Sequence, residues 1–209
     1  MKESKSVKIL IRAVLAGAMI SVGCVVYGMC QSKLLGAVLF SFGLFCICNY
    51  KLNLYTGKIG YLVRNRSVEY LAELGLTLVG NLCGAFLTAL LIRQTRIAGK
   101  LLEFVGPVAQ AKNADTFLSL LILSFFCGIL MFLGVDIFSR SQYPVSQVLA
   151  VVFAVTIFIL AGFEHCVANM FYYFFASALD VPRLLVMILG NSLGGMAVAL
   201  LLDLGTPAG

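Results

Sequence analysis

Charged residues are scarce in this sequence. Only 11% of its 209 residues are Asp, Glu, Lys or Arg, whereas 61% are hydrophobic and the mean hydropathy is +1.03. Soluble domains are about a quarter charged, so this shortage excludes a soluble enzyme, with or without a single membrane anchor. Because a spanning helix uses about 20 apolar residues, we expect about six spans and no separate catalytic domain.

Histidine is nearly absent, and so are the cysteine spacings of metal sites. The single histidine argues against a membrane redox enzyme, because haem ligation between spans generally uses several histidines. The seven cysteines lie in or beside apolar runs, so we expect neither a metal site nor a cofactor. A neutral-solute pore of the glycerol or water type would carry Asn-Pro-Ala loops. No Asn-Pro pair occurs, so such a pore is the more remote alternative.

The net charge is +6, with 15 basic and nine acidic residues. Basic residues of membrane proteins gather at span ends, so we interpret the excess as topology and expect no nucleic-acid partner. The cluster Lys2, Lys5, Lys8 and Arg12 favours a cytoplasmic N-terminus, and six spans return the C-terminus to the same side. No small-residue cleavage pattern follows the cluster, so the first span is expected to be retained.

Six apolar runs, separated by polar residues, predict six transmembrane helices. The second and fifth runs are too long for single helices, and each has polar residues near its middle, at 51–58 and 164–169. Non-helical backbone at membrane depth is tolerated only where it is buried in protein or lines a polar cavity. We therefore expect both spans to be broken around one central pathway, which a purely structural scaffold would not require. The runs lie near 8–28, 34–63, 70–92, 116–138, 146–178 and 182–203.

The two halves of the chain resemble each other. The segment 80–84, Gly-Asn-Leu-Cys-Gly, recurs 110 residues later at 190–194 as Gly-Asn-Ser-Leu-Gly. Three spans separate the copies, and an odd number of spans predicts an inverted 3+3 repeat. Its units cover about 8–92 and 116–203 of a single transmembrane domain, 1–209. Chance recurrence of Gly-xxx-Gly patterns in closely packed helices is the alternative.

The two predicted breaks occupy equivalent places at this offset, with Tyr55 on His165 and Thr56 on Cys166. An ionisable residue at membrane depth is expensive, so His165 is a functional candidate by default. A neutral imidazole can donate to, accept from, or protonate a small solute. A packing role is the alternative for His165. For Glu164, which points to a different side, we expect a structural role, holding the broken backbone or facing a neighbouring subunit.

Several segments resemble the formate/nitrite transporter family. The run Gly-Phe-Glu-His-Cys-Val-Ala-Asn-Met-Phe at 162–171 closely resembles the signature of the family's fifth span. The run Leu-Tyr-Thr-Gly at 54–57 resembles the Leu-Phe-Thr-Ser/Gly loop that breaks its second span. Glycine patterns at 16–20, 80–81 and 190–195 also fit, so the resemblance covers essentially all six spans.

The resemblance implies an all-α membrane protein that forms a homopentamer of aquaporin-like protomers, each with its own pore. The family's central histidine maps onto His165, the loop threonine that faces it maps onto Thr56, and a lysine before the fourth span maps onto Lys112. An aromatic stripe can also be packing, which is the alternative for the two phenylalanines among the mapped constrictions. These constrictions fall near Phe40, Leu44, Leu54, Tyr55 and Phe158.

The expected function is therefore transport of small monovalent anions of weak acids across a lipid bilayer, by a channel or by proton symport, and not enzymatic catalysis. Formate is the first expectation, with hydrosulfide or nitrite as alternatives. Lys112 and Lys58 would attract the anion, the apolar slot would remove its water, and His165 would lend or relay a proton. Gly128 and Asn53 stand where the family has an asparagine and an acidic residue, which would suit hydrosulfide. The expected location is the bacterial cytoplasmic membrane.

Overall fold

The computed structural model describes residues 4–205, and every regular element in that range is helical. Lys2 of the predicted N-terminal cluster, and the ends of the predicted domain 1–209, lie outside these residues. The elements in chain order are α1 (Lys5–Met29), α2 (Lys33–Asn49), α3 (Tyr55–Lys58), a 3-10 helix (Ile59–Val63), α4 (Val68–Arg93), α5 (Ala98–Ala114), α6 (Phe117–Arg140), α7 (Pro144–Leu160), α8 (Cys166–Ala176) and α9 (Val181–Gly205).

Within residues 4–205, four helices are long and apolar enough to cross a membrane by length and composition: α1, α4, α6 and α9. They coincide with the predicted spans at 8–28, 70–92, 116–138 and 182–203. The two remaining predicted spans each contain more than one helix. The run at 34–63 holds α2, α3 and the 3-10 helix, and the run at 146–178 holds α7 and α8.

Side chains just before four helices set where those helices begin. Each accepts a hydrogen bond from the backbone N–H three residues further on, which satisfies one of the donors that a helix leaves unpaired at its N-terminus. Such a cap stabilises a helix by about 1 kcal/mol. The four caps are Ser4, Ser32, Ser67 and Thr116, before α1, α2, α4 and α6.

Helices α2 and α7 end in the same way. Lys51 and Gly162 adopt left-handed backbone conformations, with φ of 52° and 72°. One residue later the backbone N–H of Leu52 donates to the carbonyl of Ile47 at 2.9 Å, a bond that closes the last turn of α2. The corresponding bond in α7, between residues 163 and 158, also measures 2.9 Å. After each of these helices the backbone is non-helical, up to Leu54 after α2 and up to His165 after α7.

Two helix pairs pack at very short range, α1 on α4 and α6 on α9. A Cβ added at Gly17 would overlap the backbone carbonyl of Asn81, and one added at Gly128 would overlap that of Asn191. No side chain fits at either glycine, because the neighbouring helix backbone occupies the space. Gly128 is therefore a helix-packing position, and our interpretation of it as a lost polar partner of the substrate was wrong.

The polar and apolar residues of the fold are distributed as in a membrane protein. Large apolar side chains lie on the outside, and Leu91, Leu118 and Leu201 are 67%, 66% and 66% exposed. Asn81 and Asn191 are completely buried. An exterior this apolar, with the polar side chains placed inside, is stable in lipid and not in water, so the chain is an integral membrane protein.

Helix α5 was not predicted from the sequence, because its residues fall in the connection between two predicted spans. Leu101, Val105 and Ala109 are completely buried at four-residue intervals, so this helix has one apolar face. It packs against α8. The contact brings Lys112, near the C-terminal end of α5, next to the residues that precede α8.

Candidate functional site

His165 and Thr56 meet in the interior of the protein. The Nε2 atom of His165 lies 2.9 Å from the Thr56 hydroxyl oxygen, and both residues are buried. His165 comes directly before α8, and Thr56 is the second residue of α3. The two helix interruptions therefore place their side chains against each other, as the family resemblance implied.

The hydrogen bonds of His165 determine which ring nitrogen carries the proton. Its Nδ1 atom accepts a hydrogen bond from the backbone N–H of Ala168 at 3.2 Å and so caps α8. An atom that accepts from a backbone N–H carries no hydrogen of its own, so the neutral ring is protonated on Nε2. Nε2–H then donates to the oxygen of Thr56, whose own hydroxyl hydrogen remains available for another acceptor.

Two phenylalanine rings lie beside the imidazole of His165. The ring of Phe158 stacks on His165 with centroids 5.6 Å apart, and Phe40 meets Phe158 edge to face at 5.9 Å. Leu44, one turn after Phe40 on α2, is completely buried. The structure thus brings two of the five predicted constriction residues, Phe40 and Phe158, together beside His165, and Leu44 lies one turn from Phe40 on the same helix.

The other two predicted constriction residues begin α3. Leu54 is buried and lines a large cavity, which is described below. The hydroxyl of Tyr55 lies 2.9 Å from the hydroxyl of Ser192 on α9. The Ser192 hydroxyl in turn lies 2.6 Å from the carbonyl oxygen of Ile188, to which it donates. Tyr55 is therefore tied to α9 by a chain of two hydrogen bonds.

Asn81 holds the first interruption in place from α4. Its Oδ1 accepts from the backbone N–H of Tyr55 at 2.9 Å. Its Nδ2 donates to the carbonyls of Asn53 and Ala13, both at 2.8 Å. The bonds to Tyr55 and Asn53 satisfy backbone groups that have no helical partner, and the bond to Ala13 adds a second donor to a carbonyl inside α1, so a single buried side chain connects α1, α4 and the non-helical segment.

Asn191 does the same for the second interruption from α9. Its Oδ1 accepts from the backbone N–H of Cys166 at 2.8 Å, and its Nδ2 donates to the carbonyls of Glu164 and Ser124 at 2.8 and 2.7 Å. As with Asn81, the side chain accepts from one backbone N–H, donates to the carbonyl two residues before it, and donates to a carbonyl of another helix. The recurrence of Gly-Asn in the sequence thus corresponds to a shared structural role for the two asparagines.

These hydrogen bonds shift the predicted equivalence of the two interruptions by one residue. Tyr55 corresponds to Cys166 and not to His165, because Tyr55 precedes Asn81 by 26 residues and Cys166 precedes Asn191 by 25. The offset is therefore 111 at the interruptions and 110 at the asparagines. Leu54 is the counterpart of His165.

Lys112 is paired with a carboxylate beside the histidine. Its ammonium group forms an ion pair with Glu164 Oε2, and the same oxygen accepts from Asn169 Nδ2 at 2.7 Å. Glu164 is buried, so the two donors offset the cost of burying its charge. Both contacts of the Glu164 carboxylate are to side chains, so the expected role in holding the broken backbone or facing a neighbouring subunit stays a prediction. An anion-attracting role for Lys112 stays a prediction, now for a lysine whose charge is already matched.

Lys58, the second predicted anion-attracting residue, is also paired. It forms an ion pair with Glu73 of α4, and its backbone carbonyl accepts from the Tyr70 hydroxyl at 2.8 Å. Lys58 lines the same cavity as Leu54. Its place at the cavity agrees with the expectation, but its charge is shared with a carboxylate.

A basic cavity beside the first interruption was not predicted from the sequence. A cavity of about 750 Å³ extends from the N-terminal turns of α1 to the residues of the first interruption. Lys5, Lys8, Arg12 and Lys51 line it, and none of them pairs with a carboxylate of residues 4–205. The signal was available in the spacing of Lys5, Lys8 and Arg12, which places all three on one face of a helix. We had assigned them to topology alone.

The side chains of residues 4–205 do not form a cluster of metal ligands. No group of three or more His, Cys, Asp or Glu side chains there could hold a metal ion, and its seven cysteines are all unbonded.

Comparisons with known proteins bear on this site. A family model described as formate/nitrite transporter matches residues 2–204. Among curated proteins, a formate-nitrite transporter of Plasmodium vivax is 27% identical over 195 residues, covering 82% of this chain and 62% of the relative. An uncharacterized transporter of Bacillus subtilis, YrhG, is 33% identical over 150 residues, covering 67% of this chain and 56% of the relative. The Escherichia coli formate channel FocB is 24% identical over 191 residues, covering 83% and 68%. The chain thus spans between about half and two thirds of these relatives' length.

Two solved structures share the fold. One, described as a pentameric formate channel with formate bound, matches with a TM-score of 0.82 and 24% identity over 98% of both chains. Another, described as an FNT family ion channel, matches with a TM-score of 0.85 and 23% identity over 97% of this chain and 92% of that one.

Proposed function

The chain belongs to the formate/nitrite transporter family, and on that premise we propose that it passes small monovalent anions of weak acids, formate first, along a pathway that runs past His165 and Thr56. The family consists of transporters and channels, so the chain is a membrane transport protein and not an enzyme. The single observation that carries the residue assignment is the buried hydrogen bond between His165 and Thr56, formed between the two helix interruptions.

The proposed transmembrane arrangement has six spans in two inverted halves. The first half comprises α1, the interrupted span from α2 to the 3-10 helix, and α4. The second half comprises α6, the interrupted span formed by α7 and α8, and α9. The matching hydrogen bonds of Asn81 and Asn191, and the matching left-handed ends of α2 and α7, support this symmetry. Interrupted spans of this kind surround the substrate pathway in transporters built from inverted repeats.

Thr56 is the group that would meet the anion. Because its oxygen accepts from His165, its own hydrogen points away from the imidazole and is free to donate to a carboxylate oxygen. An ion in an apolar constriction costs several kcal/mol, which favours passage of the neutral acid past Phe40 and Phe158. The anion would have to gain its proton before it passes these rings, and the Thr56 hydroxyl is the donor that would meet it there.

The proton relay would run through His165 without leaving a charge on it. Nδ1 can take a proton from pore water only after its hydrogen bond from the Ala168 N–H opens. The Nε2 proton then moves to Thr56 and the Thr56 hydroxyl proton moves to the anion, which leaves as the neutral acid. The ring, now neutral with its proton on Nδ1, returns to the resting tautomer when Nδ1 releases that proton to water and Nε2 takes one from water.

Flux measurements in proteoliposomes test this proposal. Formate uptake by the wild-type protein and by His165→Asn would be compared between pH 5 and pH 8, with the lipid-facing Phe153→Leu as a matched control. We expect the asparagine variant to lose most of its flux and the pH dependence of the remainder. Unchanged rate and unchanged pH dependence would contradict the relay. Absence of wild-type flux for formate, nitrite and hydrosulfide alike would contradict the transport of these anions.

Hydrosulfide or nitrite is the alternative substrate. The structure removes one reason for hydrosulfide, because Gly128 is a packing position. The other reason stands, since Asn53 lines the cavity as a neutral side chain where the family has an acidic one. Formate stays first because the family signature is unaltered at His165 and Thr56. Competition among the three anions for wild-type flux decides between them.

The proposed assembly is a homopentamer in a lipid bilayer, with both termini on the cytoplasmic side. The structural neighbour described as a pentameric formate channel, which is matched over 98% of its chain, supports the assembly. A bacterial cytoplasmic membrane is proposed from the bacterial relatives, although the relatives also include Plasmodium proteins. The mass of the purified complex and the protease accessibility of a C-terminal tag would test assembly and orientation.

A further inference from the structure

The cavity beside the first interruption carries more positive charge than a monovalent substrate can match. Five basic residues line it, together with one carboxylate, Glu73, which is already paired with Lys58. Four cations are left over, with no ion pair to any carboxylate of the described chain: Lys5, Lys8, Arg12 and Lys51.

Two of these cations occupy an unfavourable position on their own helix. Lys5 and Lys8 lie in the first two turns of α1, where the backbone N–H groups concentrate partial positive charge, and the first turn contains no acidic residue. Cations at that end cost a helix about 0.3–1 kcal/mol each. The four like charges around one cavity also repel one another, which adds to this cost.

Lys51 occupies an unfavourable backbone conformation as well. Its φ is 52°, a left-handed value that costs a residue with a side chain roughly 1–2 kcal/mol. The counterpart at the end of α7 is Gly162, which adopts such a φ without that cost. A lysine that lines the cavity thus stands where the fold favours glycine. Strain of this kind persists at sites where the side chain has a function.

We propose that this cavity is a binding site for a multiply charged phosphate anion, and that the bound anion blocks the anion pathway from this side. The block rests on the proposed function, whereas the binding does not. One anion with several negative charges would offset the repulsion among Lys8, Arg12 and Lys51, which a monovalent formate cannot do.

The shape and chemistry of the cavity fit such a ligand. Its volume of about 750 Å³ lies within the range of small-molecule sites, roughly 300–1,000 Å³. Arg12 offers the planar fork that binds phosphate through two oxygens, and the lysines add point charges. The cavity reaches inward to Asn53 and Leu54, beside the non-helical segment, so a ligand held there stands across the proposed pathway. This depth favours a soluble phosphate over the headgroup of a lipid that remains in the bilayer.

Binding is measured first, with inorganic pyrophosphate as the probe and purified protein in phosphatidylcholine nanodiscs. Calorimetric titration should show saturable binding that weakens as salt rises, because exposed charges are screened. Lys8→Gln and Lys51→Gly should each weaken binding by about two- to fivefold, the range expected for one exposed charge contact. Lys33→Gln removes an exposed cation that does not line the cavity and should leave the affinity unchanged.

Lys51→Gly also controls for misfolding, because it relieves the left-handed strain and should fold at least as well as the wild type. Absence of pyrophosphate binding, or equal weakening by Lys33→Gln, would overturn the site. Loss of pyrophosphate binding when phosphatidylglycerol is added to the nanodiscs would overturn a soluble ligand in favour of a lipid headgroup.

Flux is measured second. Pyrophosphate should inhibit formate flux in proteoliposomes at the concentrations that saturate binding, and Lys51→Gly should shift the inhibition by the same factor as the binding. Binding without inhibition of a measurable flux would overturn the block alone. If the protein carries no anion at all, the proposed function fails, and the calorimetric result still decides whether the site exists.

Discussion

Thr56 and His165 are 109 residues apart in the chain, and their Oγ1 and Nε2 atoms are 2.9 Å apart in the fold. Neither residue lies inside a long helix. Thr56 is the second residue of the short helix α3, and His165 directly precedes α8. Each of these helices follows a non-helical segment that is held by a buried asparagine on a neighbouring helix. The geometry of the pair thus depends on two side chains that do not belong to it.

Thr56→Val should reduce formate flux about tenfold or more, while Thr56→Ser should retain most of it. Valine keeps the shape of threonine but removes the hydroxyl, which leaves the His165 Nε2–H and the anion without their partner. A buried hydrogen-bonding group left unpaired costs about 1–3 kcal/mol, and about 1.4 kcal/mol corresponds to a tenfold change in rate. Initial rates in proteoliposomes provide the measurement. Equal flux in the two variants would remove Thr56 from the pathway.

Asn191→Leu should destabilise the protein by about 2–5 kcal/mol, because the buried backbone groups of Cys166 and Glu164 lose their partner and the tie to Ser124 of α6 is lost as well. The matched control is Leu189→Ala, two residues away and half exposed to lipid, which should have a small effect. Thermal unfolding in detergent, followed by circular dichroism, measures the difference. If the two variants had the same midpoint, Asn191 would not be the residue that holds the second interruption.

Gly128→Ala should also destabilise the fold, by about 1–3 kcal/mol, because the added methyl group overlaps the backbone of Asn191. Gly75→Ala on α4 is a matched control, since no atom lies within 4 Å of a Cβ built there. An alanine at that position should be neutral or should stabilise the helix by up to about 1 kcal/mol. Opposite shifts of the unfolding midpoint are expected, and shifts of the same sign would contradict the packing assignment.

Lys51→Gly and Gly162→Ala should change stability in opposite directions. Glycine at position 51 relieves a left-handed conformation and should stabilise the fold by about 0.5–1 kcal/mol, whereas alanine at position 162 introduces that strain. The same unfolding measurement applies to both. A destabilised Lys51→Gly would mean that the lysine side chain supports the fold directly.

Local patterns in the sequence predicted much of this structure. The spans α1, α4, α6 and α9 were predictable because a run of about 20 apolar residues matches the length of helix that crosses the hydrocarbon core of a bilayer. The helix ends within the two overlong runs fall close to the polar residues at 51–58 and 164–169, and the broken spans themselves stay a prediction. The pairing of His165 with Thr56 followed from family resemblance, since nothing in their spacing brings residues 109 positions apart together.

Other features depended on contacts that no local pattern contains. Helix α5 was missed because it lies between two predicted spans, where a connection was expected, and contains Pro107, a residue that usually interrupts a helix. The ion pair of Lys112 with Glu164 joins residues 52 positions apart, so an isolated lysine in the sequence was taken for a free charge. The shift of the repeat from 110 to 111 residues arises from one additional residue between Tyr55 and Asn81, which a motif comparison at the asparagines does not detect.

Tyr55 and Thr56 are adjacent in the chain, yet their hydroxyl groups have opposite hydrogen-bonding polarity. Because the hydrogen of Ser192 is committed to the carbonyl of Ile188, Ser192 can only accept from Tyr55. The phenol hydrogen is thereby used, and the Tyr55 oxygen has only lone pairs left to offer. Thr56, which accepts one bond from His165, still has its hydrogen to donate. A solute that touches both groups meets a donor at one residue and an acceptor at the next, so a protonated acid can bond to both, whereas its anion can bond only to Thr56.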